Sequence, residues 1–265
     1  MPRGKSPSVK EETMHIIPVN RQVLDLWIEG AILVQHRFEE KMRLEMLAKQ
    51  MGKAFPKRLK KDPEKLFYGS MYPLPGYEGR YGIPSAAFRK AMIGASRWIN
   101  GVFKVDVGGT VFVRGTEHPN FVTIHGSAPT MREDIVRLSG FPPKPDIRYR
   151  GMFENWFAQV MVEYDGSTFT PEQVVNLLNR AGFSVGVLEG RPEKYGEWGQ
   201  FSVVTDLKRI EELKKRAAAE MKAAPRAAVV MPIEERFDLF REEQGIANVP
   251  EEDAEDALEP VEANA

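Results

Sequence analysis

Two stretches of alternating apolar and polar residues constrain the fold of this chain more than any other feature of its sequence. In residues 23–29 the side chains of Leu24, Leu26 and Ile28 share one face of an extended chain. The pattern returns in residues 155–164, with an apolar face of Trp156, Ala158, Val160, Val162 and Tyr164. A period of two is typical of half-buried antiparallel strands, because buried parallel strands read as continuous apolar runs.

Helical patterns separate these strands. Residues 38–51 and 84–100 carry apolar side chains at helical spacing, the second with a core stripe of Phe88, Ala91, Met92, Ala95 and Ile99. Thr170 as N-cap, Pro171 at the first helical position and Gln173 predict a helix that runs through Ala181 and ends at Gly182. Asp206 caps a further helix of about 18 residues. Helices returning between antiparallel strands indicate the α+β class.

Shorter signals complete the prediction. Alternation predicts strands at 102–107, 110–114, 120–125 and 146–150, and the run from Ala31 to Val34 is interpreted as an apolar link. A capping box from Thr130 to Glu133 predicts a brief helix. Residues 182–204 contain five glycines and are interpreted as a glycine-studded strand and loop.

Composition excludes several classes of protein. The 265 residues include no cysteine, so disulfide scaffolds, thiolate metal sites and thiol nucleophiles are excluded, and a reducing cytoplasm is favoured. No apolar run approaches the roughly 18 residues that a membrane span needs. We therefore expect a cytoplasmic protein, in a bacterial host cell, with no membrane partner.

The charges are divided unevenly along the chain. The total is 37 basic and 38 acidic residues, but residues 251–265 hold seven acids and no base, so the first 250 residues have a net charge of +6. We expect a disordered leader (1–13), an α+β nucleic-acid-binding core (14–205), a helical extension and linker (206–250) with a second amphipathic helix at 233–244, and a disordered acidic tail (251–265).

Basic residues with aromatic residues between them point to a polyanionic ligand. An exposed basic loop at 53–65, the helix after Pro84, the strand 146–150 and the glycine segment each contribute cations. Cations that follow a sugar–phosphate backbone, with flat rings beneath the bases, are typical of proteins that hold single-stranded nucleic acid. The predicted binding residues are Lys57, Arg58, Lys60, Lys61, Arg89, Lys90, Arg97, Arg148, Arg150, Arg191, Lys194, Tyr195 and Trp198.

Enzyme signatures are scarce. The sequence lacks a phosphate-binding P-loop, a G-x-S-x-G elbow and an H-E-x-x-H motif, and its four histidines are not at helical ligand spacing. We predict no metal site and no cofactor, and the sequence favours a binding protein over an enzyme. His36, beside Arg37, is the candidate general base if the chain is a ribonuclease.

Four segments together resemble a family of phage and prophage proteins of poorly defined role: GAILVQHRF, RYGIPSAAFRKAMIGASR, RYRGMFENWFAQVMVEY and NLLNRAGFSVGVLEGRPEKYGEWGQF. The motif I-P-x-x-x-F-R-x-A opening a helix, followed by a late G-x-x-G-x-F, is similar to the repeat-associated mysterious protein (RAMP) superfamily. In particular it looks like the backbone subunits of CRISPR effector complexes.

The superfamily resemblance implies a ferredoxin-like, RNA-recognition-like antiparallel sheet with helices on one face and an inserted basic loop. It also implies a filament of stacked subunits with RNA along a basic groove, approached by Arg89, Lys90 and residues 190–199. The acidic tail is not part of that pattern. It resembles the tails of single-stranded DNA-binding proteins, which compete with the nucleic acid for the groove.

We therefore predict a protein of phage origin that binds single-stranded DNA or RNA and forms homo-oligomers along it, with the acidic tail as an internal competitor. Two alternatives stay open: a metal-independent endoribonuclease that uses His36, and a structural or scaffolding component of a phage particle.

Overall fold

The computed structural model describes residues 18–37, 40–52, 61–138, 142 and 144–226, with side chains from residue 42 onward in the second range. The strands are β1 (Arg21–Gln35), β2 (Gly82–Pro84), β3 (Val111–Arg114), β4 (Phe121–Thr123), β5 (Thr130–Arg137), β6 (Pro145–Asp165) and β7 (Ser202–Val203). The helices are α1 (Glu40–Gln50), α2 (Pro63–Gly69), α3 (Ser85–Ala95), α4 (Lys104–Thr110), α5 (Pro171–Ser184) and α6 (Leu207–Ala223). The predicted α+β class with antiparallel sheets is confirmed.

The main sheet is built on one long pair of strands. β1 and β6 pair antiparallel from Arg21 opposite Asp165 to Gln35 opposite Gly151, and the strand order is β3-β6-β1-β7. The predicted strands at 23–29, 146–150 and 155–164 are therefore parts of two much longer strands. The apolar link predicted at Ala31–Val34 is wrong, since it continues β1: Leu33 and Val34 are both fully buried, which hides the alternation.

The principal core lies between this sheet and two helices. Ile28, Ala158 and Val160 from the sheet pack with Phe88 of α3 and Leu177 of α5. The capping box at Thr170 is confirmed, because its hydroxyl accepts from the Gln173 backbone N–H and the Gln173 side chain accepts from the Thr170 N–H. The helix does not end at Gly182, where a side chain would collide with the carbonyl of Phe201.

Three local predictions are wrong because longer-range contacts override short patterns. Residues 104–110 form a helix rather than a strand, with the Asp106 carboxylate accepting from the Phe103 N–H at its start. The capping box at Thr130 belongs to β5, which pairs with β6 from Thr130 opposite Met152 to Arg137 opposite Pro145. The strand predicted within 182–204 is reduced to β7, because most of that segment is an irregular loop.

The predicted basic loop at 53–65 ends earlier than expected. Residues 53–60 lie outside the described residues, and α2 begins at Pro63. The Asp62 side chain accepts hydrogen bonds from the backbone N–H groups of Glu64 and Lys65, so Lys65 lies in a capped helix. The leader, the helix predicted at 233–244 and the acidic tail also lie outside the described residues.

The helix predicted after Asp206 is confirmed as α6, which lies on the sheet face opposite α3 and α5. Its Leu213 and Ala217 are buried with Trp27, Phe157 and Val204 in a small cluster separate from the principal core. The division of the chain at residue 205 stays a prediction. In the part of the chain that the structure describes, no helix is long and apolar enough to cross a membrane.

Candidate nucleic-acid interface

An open cleft separates α3 from the loop of residues 185–199, which we call the glycine loop. The cleft has a volume of about 300 Å³, and Ala86, Ala87 and Lys90 line its α3 side. Val187 and Arg191 lie on the opposite wall. About a hundred residues separate these two walls in the sequence, and the fold brings them together through the packing of α3 against α5 and hydrogen bonds from the loop to β1.

The first turn of α3 leaves backbone donors at this cleft. Its N-cap residue is Pro84, which makes no side-chain capping hydrogen bond. The Ser85 N–H donates to the Asn120 carbonyl at 2.9 Å, so the donors at the cleft are those of Ala86 and Ala87. The first N–H groups of a helix have no partner within the helix, and the aligned peptide dipoles make that end attractive to anions. The cleft therefore has a surface that favours a negatively charged group.

The glycines shape the opposite wall by folding the loop closely on itself. Gly199 has φ of +70°, and a Cβ there would lie 1.9 Å from the carbonyl oxygen of Val187. Gly190 has φ of +61° and would bring a Cβ to 2.3 Å from the Trp198 ring. The N–H groups of Val187 and Trp198 donate within the loop, to Gly199 and Gly190, so these amides are not offered to a ligand.

Four of the predicted cations lie around this cleft. Lys90 is exposed on α3, and Lys194 is exposed on the glycine loop. The Arg191 guanidinium donates to Glu193 at 3.2 Å and to the Leu188 carbonyl at 3.1 Å. Arg97, in the turn after α3, donates to the same Glu193 at 3.1 Å, and its guanidinium stacks on the Trp98 ring, 4.8 Å from the ring centre. Of these four cations, Lys90 and Arg191 line the cleft, together with Glu193. The glycine loop also contains Glu189 and Glu197.

Two predicted aromatic residues stand on the same loop. Tyr195 is completely exposed and has φ of +63°, so its ring projects from a strained position into solvent. The guanidinium of Arg132 stacks on the Trp198 ring, 4.3 Å from the ring centre. Sequence analysis did not single out Arg132, because a strand partner of β6 was not foreseen there.

Other predicted residues have partners inside the protein. Arg89 donates to the carbonyls of Val111, at 3.0 Å, and Gly108, and it stacks on Phe112 at 4.4 Å. It therefore fastens α3 to α4 and β3. Lys61 donates to the carboxylate of Asp146 and to the Ile147 carbonyl. Lys57, Arg58 and Lys60 lie outside the described residues.

Arg150 is a buried cation that joins three elements. Its side chain is 6% exposed and lies 3.1 Å from Asp134 on β5 and 3.4 Å from Glu189 on the glycine loop. Asp134 also accepts from Arg132 at 2.9 Å, so one carboxylate separates two arginines that face each other across β5 and β6. This network positions the glycine loop against β6.

His36 lies at the end of β1, where its Nε2 is 2.8 Å from the guanidinium of Arg148. An arginine is always a donor, so this nitrogen accepts and its lone pair is engaged. Arg148 also lies 3.9 Å from Asp146. Among the described residues, no group of three or more histidine, aspartate or glutamate side chains is placed to hold a metal ion.

A second cluster, which was not predicted from the sequence, lies beneath α6. The Glu220 carboxylate lies 2.7 Å from the Arg80 guanidinium, 3.2 Å from Nδ1 of His125 and 3.3 Å from the Gly126 backbone N. Burial raises the pKa of this carboxyl, but hydrogen bonds from His125 and Arg80 lower it more, so its pKa lies below the usual value. We call this cluster the Glu220 site; no spacing along the sequence could indicate it.

Comparison with known proteins gives similarities of structure only. No family model matches the chain, and no curated protein matches it. A chain of the Type III-B Cmr-beta bound to cognate target RNA, solved by cryo-EM, is 8% identical with a TM-score of 0.40, over 70% of this chain and 60% of that one. Cmr6 from Pyrococcus furiosus is 12% identical with a TM-score of 0.36, over 70% of this chain and 99% of that one. Both are similarities of structure at low sequence identity.

Proposed function

We propose that this chain binds single-stranded nucleic acid in the cleft between α3 and the glycine loop. The observation that carries the proposal is that an uncapped helix start and the exposed Lys90 face the same open cleft. A helix N-terminus with a nearby cation is suited to a backbone phosphate. Tyr195, on the adjoining loop, would stack on a base, and Trp198 could do so only after Arg132 leaves its ring.

We propose that the fold is ferredoxin-like and of the RAMP type, which would support the same function. The chain order β1-α3-β3-β6-α5-β7 is strand, helix, two strands, helix, strand, and numbering those strands from one to four gives the sheet order 4-1-3-2. β2, β4 and β5 are then additions to that plan. This topology supports RNA-recognition-like architecture without naming a ligand.

Self-assembly along the ligand, a phage origin, a cytoplasmic location and competition by the acidic tail belong to the same proposal. The basis for competition is that the last 15 residues carry seven acids and no base. Removing residues 251–265 should tighten binding at low salt and have less effect at high salt. Light scattering with oligonucleotides of increasing length should show a protein mass that rises with length; a constant mass of one protomer would exclude assembly.

The cleft is tested by charge reversal. Fluorescence anisotropy with labelled oligo(U) and oligo(dT) should show binding weakened at least about tenfold in Lys90→Glu/Lys194→Glu, and a flatter salt dependence, because each lost phosphate contact removes about 0.7 from the logarithmic slope. Lys104→Glu on α4 is the control, since Lys104 is exposed on a different element. Equal affinities for all three proteins would refute the proposal.

A further inference from the structure

We propose that α6 covers a second site for single-stranded nucleic acid, on the sheet face opposite α3 and α5. In this site bases would stack on Trp27 and Phe157, and a phosphate would replace the carboxylate of Glu220. The proposal depends on the nucleic-acid binding proposed above and adds a second surface together with its regulation.

Beneath α6, aromatic rings form a row across the two central strands. The rings of Trp27 on β1 and Phe157 on β6 lie 6.2 Å apart, and the His125 ring stacks on Phe157 at 5.3 Å with an angle of 25°. All three side chains are buried. Flat rings in the middle of a sheet are a platform on which single-stranded bases stack, and here one helix covers that platform.

The Glu220 site has the chemistry of a phosphate site filled by the protein itself. Oε2 of Glu220 lies within 3.4 Å of three groups, the Arg80 guanidinium, Nδ1 of His125 and the Gly126 N–H. The Arg80 guanidinium also lies 3.1 Å from the same Nδ1, so Arg80 and the Gly126 N–H are the certain donors. Nε of Arg80 is buried and has no hydrogen-bond partner among the described residues. A phosphate group has more oxygens than a carboxylate, so it could also accept a hydrogen bond from Nε of Arg80, which Glu220 leaves unsatisfied.

α6 also places a flat cation where a base would stack. The guanidinium of Arg216 lies 4.7 Å from the centre of the Phe157 ring. Arg216 and Glu220 are four residues apart, so they lie on the same side of α6 about one helical turn from each other. One turn of α6 thus places the planar guanidinium of Arg216 over the Phe157 ring and the carboxylate of Glu220 beside Arg80. A nucleotide would place its base and its phosphate in the same two positions.

Open pockets adjoin both the ring platform and the Glu220 site. A groove of about 410 Å³ is lined by Asn155, Phe157, Ser202 and Arg209. A second pocket, of about 230 Å³, is lined by Arg80, Gly126, Ser127 and Glu220. A strand that displaces α6 would therefore find existing space around the platform.

Few buried residues hold α6 on the sheet, so a ligand could displace the helix. Only Leu213 and Ala217 of this helix are buried, and they contact a cluster separate from the principal core. Ile210 also packs against this cluster. Polar contacts add the pair of Arg209 with Glu29 at 3.1 Å and, just after the helix, the hydrogen bond from the Glu78 N–H to the Pro225 carbonyl at 3.0 Å. Releasing α6 would expose Trp27 and Phe157 without opening the packing of α3 and α5 on the sheet.

The test uses the full chain with the Glu220→Gln substitution, which removes the internal anion. Anisotropy with labelled oligo(U) and oligo(dT) should show binding at least about fivefold tighter than the wild type, because the fraction of molecules with the second site open rises. Glu211→Gln is the matched control: it removes one charge from an exposed position of the same helix and should change affinity less than about twofold.

A reversible crosslink, called the lock below, distinguishes two causes of tighter binding: the release of α6 and the loss of the Glu220 charge. The chain has no cysteine, so Glu29→Cys/Arg209→Cys can be joined selectively by a bis-methanethiosulfonate linker in the Glu220→Gln background. The linker should abolish the gain in affinity, and a reductant should restore it. Fluorescence of Trp27, taken as the difference from a Trp27→Phe variant, should be quenched by the oligonucleotide only in the unlocked protein.

Affinity within twofold of the wild type for Glu220→Gln, or a gain that survives the lock, would overturn the proposal. The Lys90→Glu/Lys194→Glu variant keeps this result separate from the first site. If that variant loses binding while Glu220→Gln gains none, only the second site is rejected. If neither variant changes binding, both proposals fail.

Discussion

The cleft beside α3 and the Glu220 site differ chiefly in what occupies them. Each combines cations with backbone donors and nearby rings, yet Lys90 faces an open cleft while Arg80 is engaged by a carboxylate of the same chain. The position of a cation in the fold therefore decides its role: Lys90 is exposed to a ligand, whereas Arg80 stabilises the fold through its pair with Glu220.

Arg150→Ala should have the largest effect, because it removes the buried cation that joins β5, β6 and the glycine loop. Asp134 keeps its pair with Arg132, so the cost should be about 3 kcal/mol, the low end for breaking a buried pair. The free energy of unfolding, from urea denaturation, should fall by that amount. Lys90→Ala should leave it unchanged within about 0.5 kcal/mol. Equal stability of the two variants would show that Arg150 is no structural residue.

Gly199→Ala tests whether the wall of the cleft depends on the close contact between Gly199 and the Val187 carbonyl within the glycine loop. The new methyl group would meet the Val187 carbonyl at a φ of +70°, so we expect a loss of about 2–3 kcal/mol in the free energy of unfolding and weaker oligonucleotide binding. Gly69→Ala is the control, because a Cβ at Gly69 meets no atom within 4 Å. A stable Gly199→Ala variant with a smaller loss than about 0.5 kcal/mol would contradict this account.

The sequence contains enough information for the class of fold but not for the extent of its strands. Alternation identified the faces of β1 and β6 because period-two burial is a local property. It failed at Ala31–Val34, where both faces are covered, and at Thr130, where pairing with β6 outweighs a capping signal. Sheet pairing is set by residues distant in sequence, and local patterns do not encode it.

The same distinction applies to the candidate sites. Lys90 and the glycine loop were predicted together as parts of one binding surface, and the fold brings them to one cleft. Arg89 and Arg150 look equally cationic in sequence, but their guanidinium groups contact internal carbonyls and carboxylates. The Glu220 site joins residues up to 140 positions apart, so its existence depends on where α6 lies on the sheet.

Leu213→Ala tests the attachment of α6 and sharpens the contrast between an open site and a covered one. Leu213 is fully buried, and losing its side chain should weaken the docking of the helix by about 2 kcal/mol, at the low end for such a change because the helix can detach instead of leaving a cavity. Acrylamide should then quench Trp27 more strongly. Ala218→Gly, at an exposed position of α6, is a control for helix propensity alone. Equal quenching in the two variants would mean that Leu213 does not hold α6 in place.

Acidification should produce the smallest effect, and its sign follows from the lowered pKa of Glu220. Hydrogen bonds from His125 and Arg80 favour the charged carboxylate in the folded protein, so its contribution to stability is complete above the usual carboxyl pKa of 4.5 and is lost as the pH falls through the lower folded value. Trp27 should become more accessible to acrylamide in that window. Glu220→Gln should lack this step, whereas Glu211→Gln should retain it. If the step persists in Glu220→Gln, another group causes the acid response. Loss of the Glu220 charge would then not release α6, and the Glu220 site would be a fixed part of the fold.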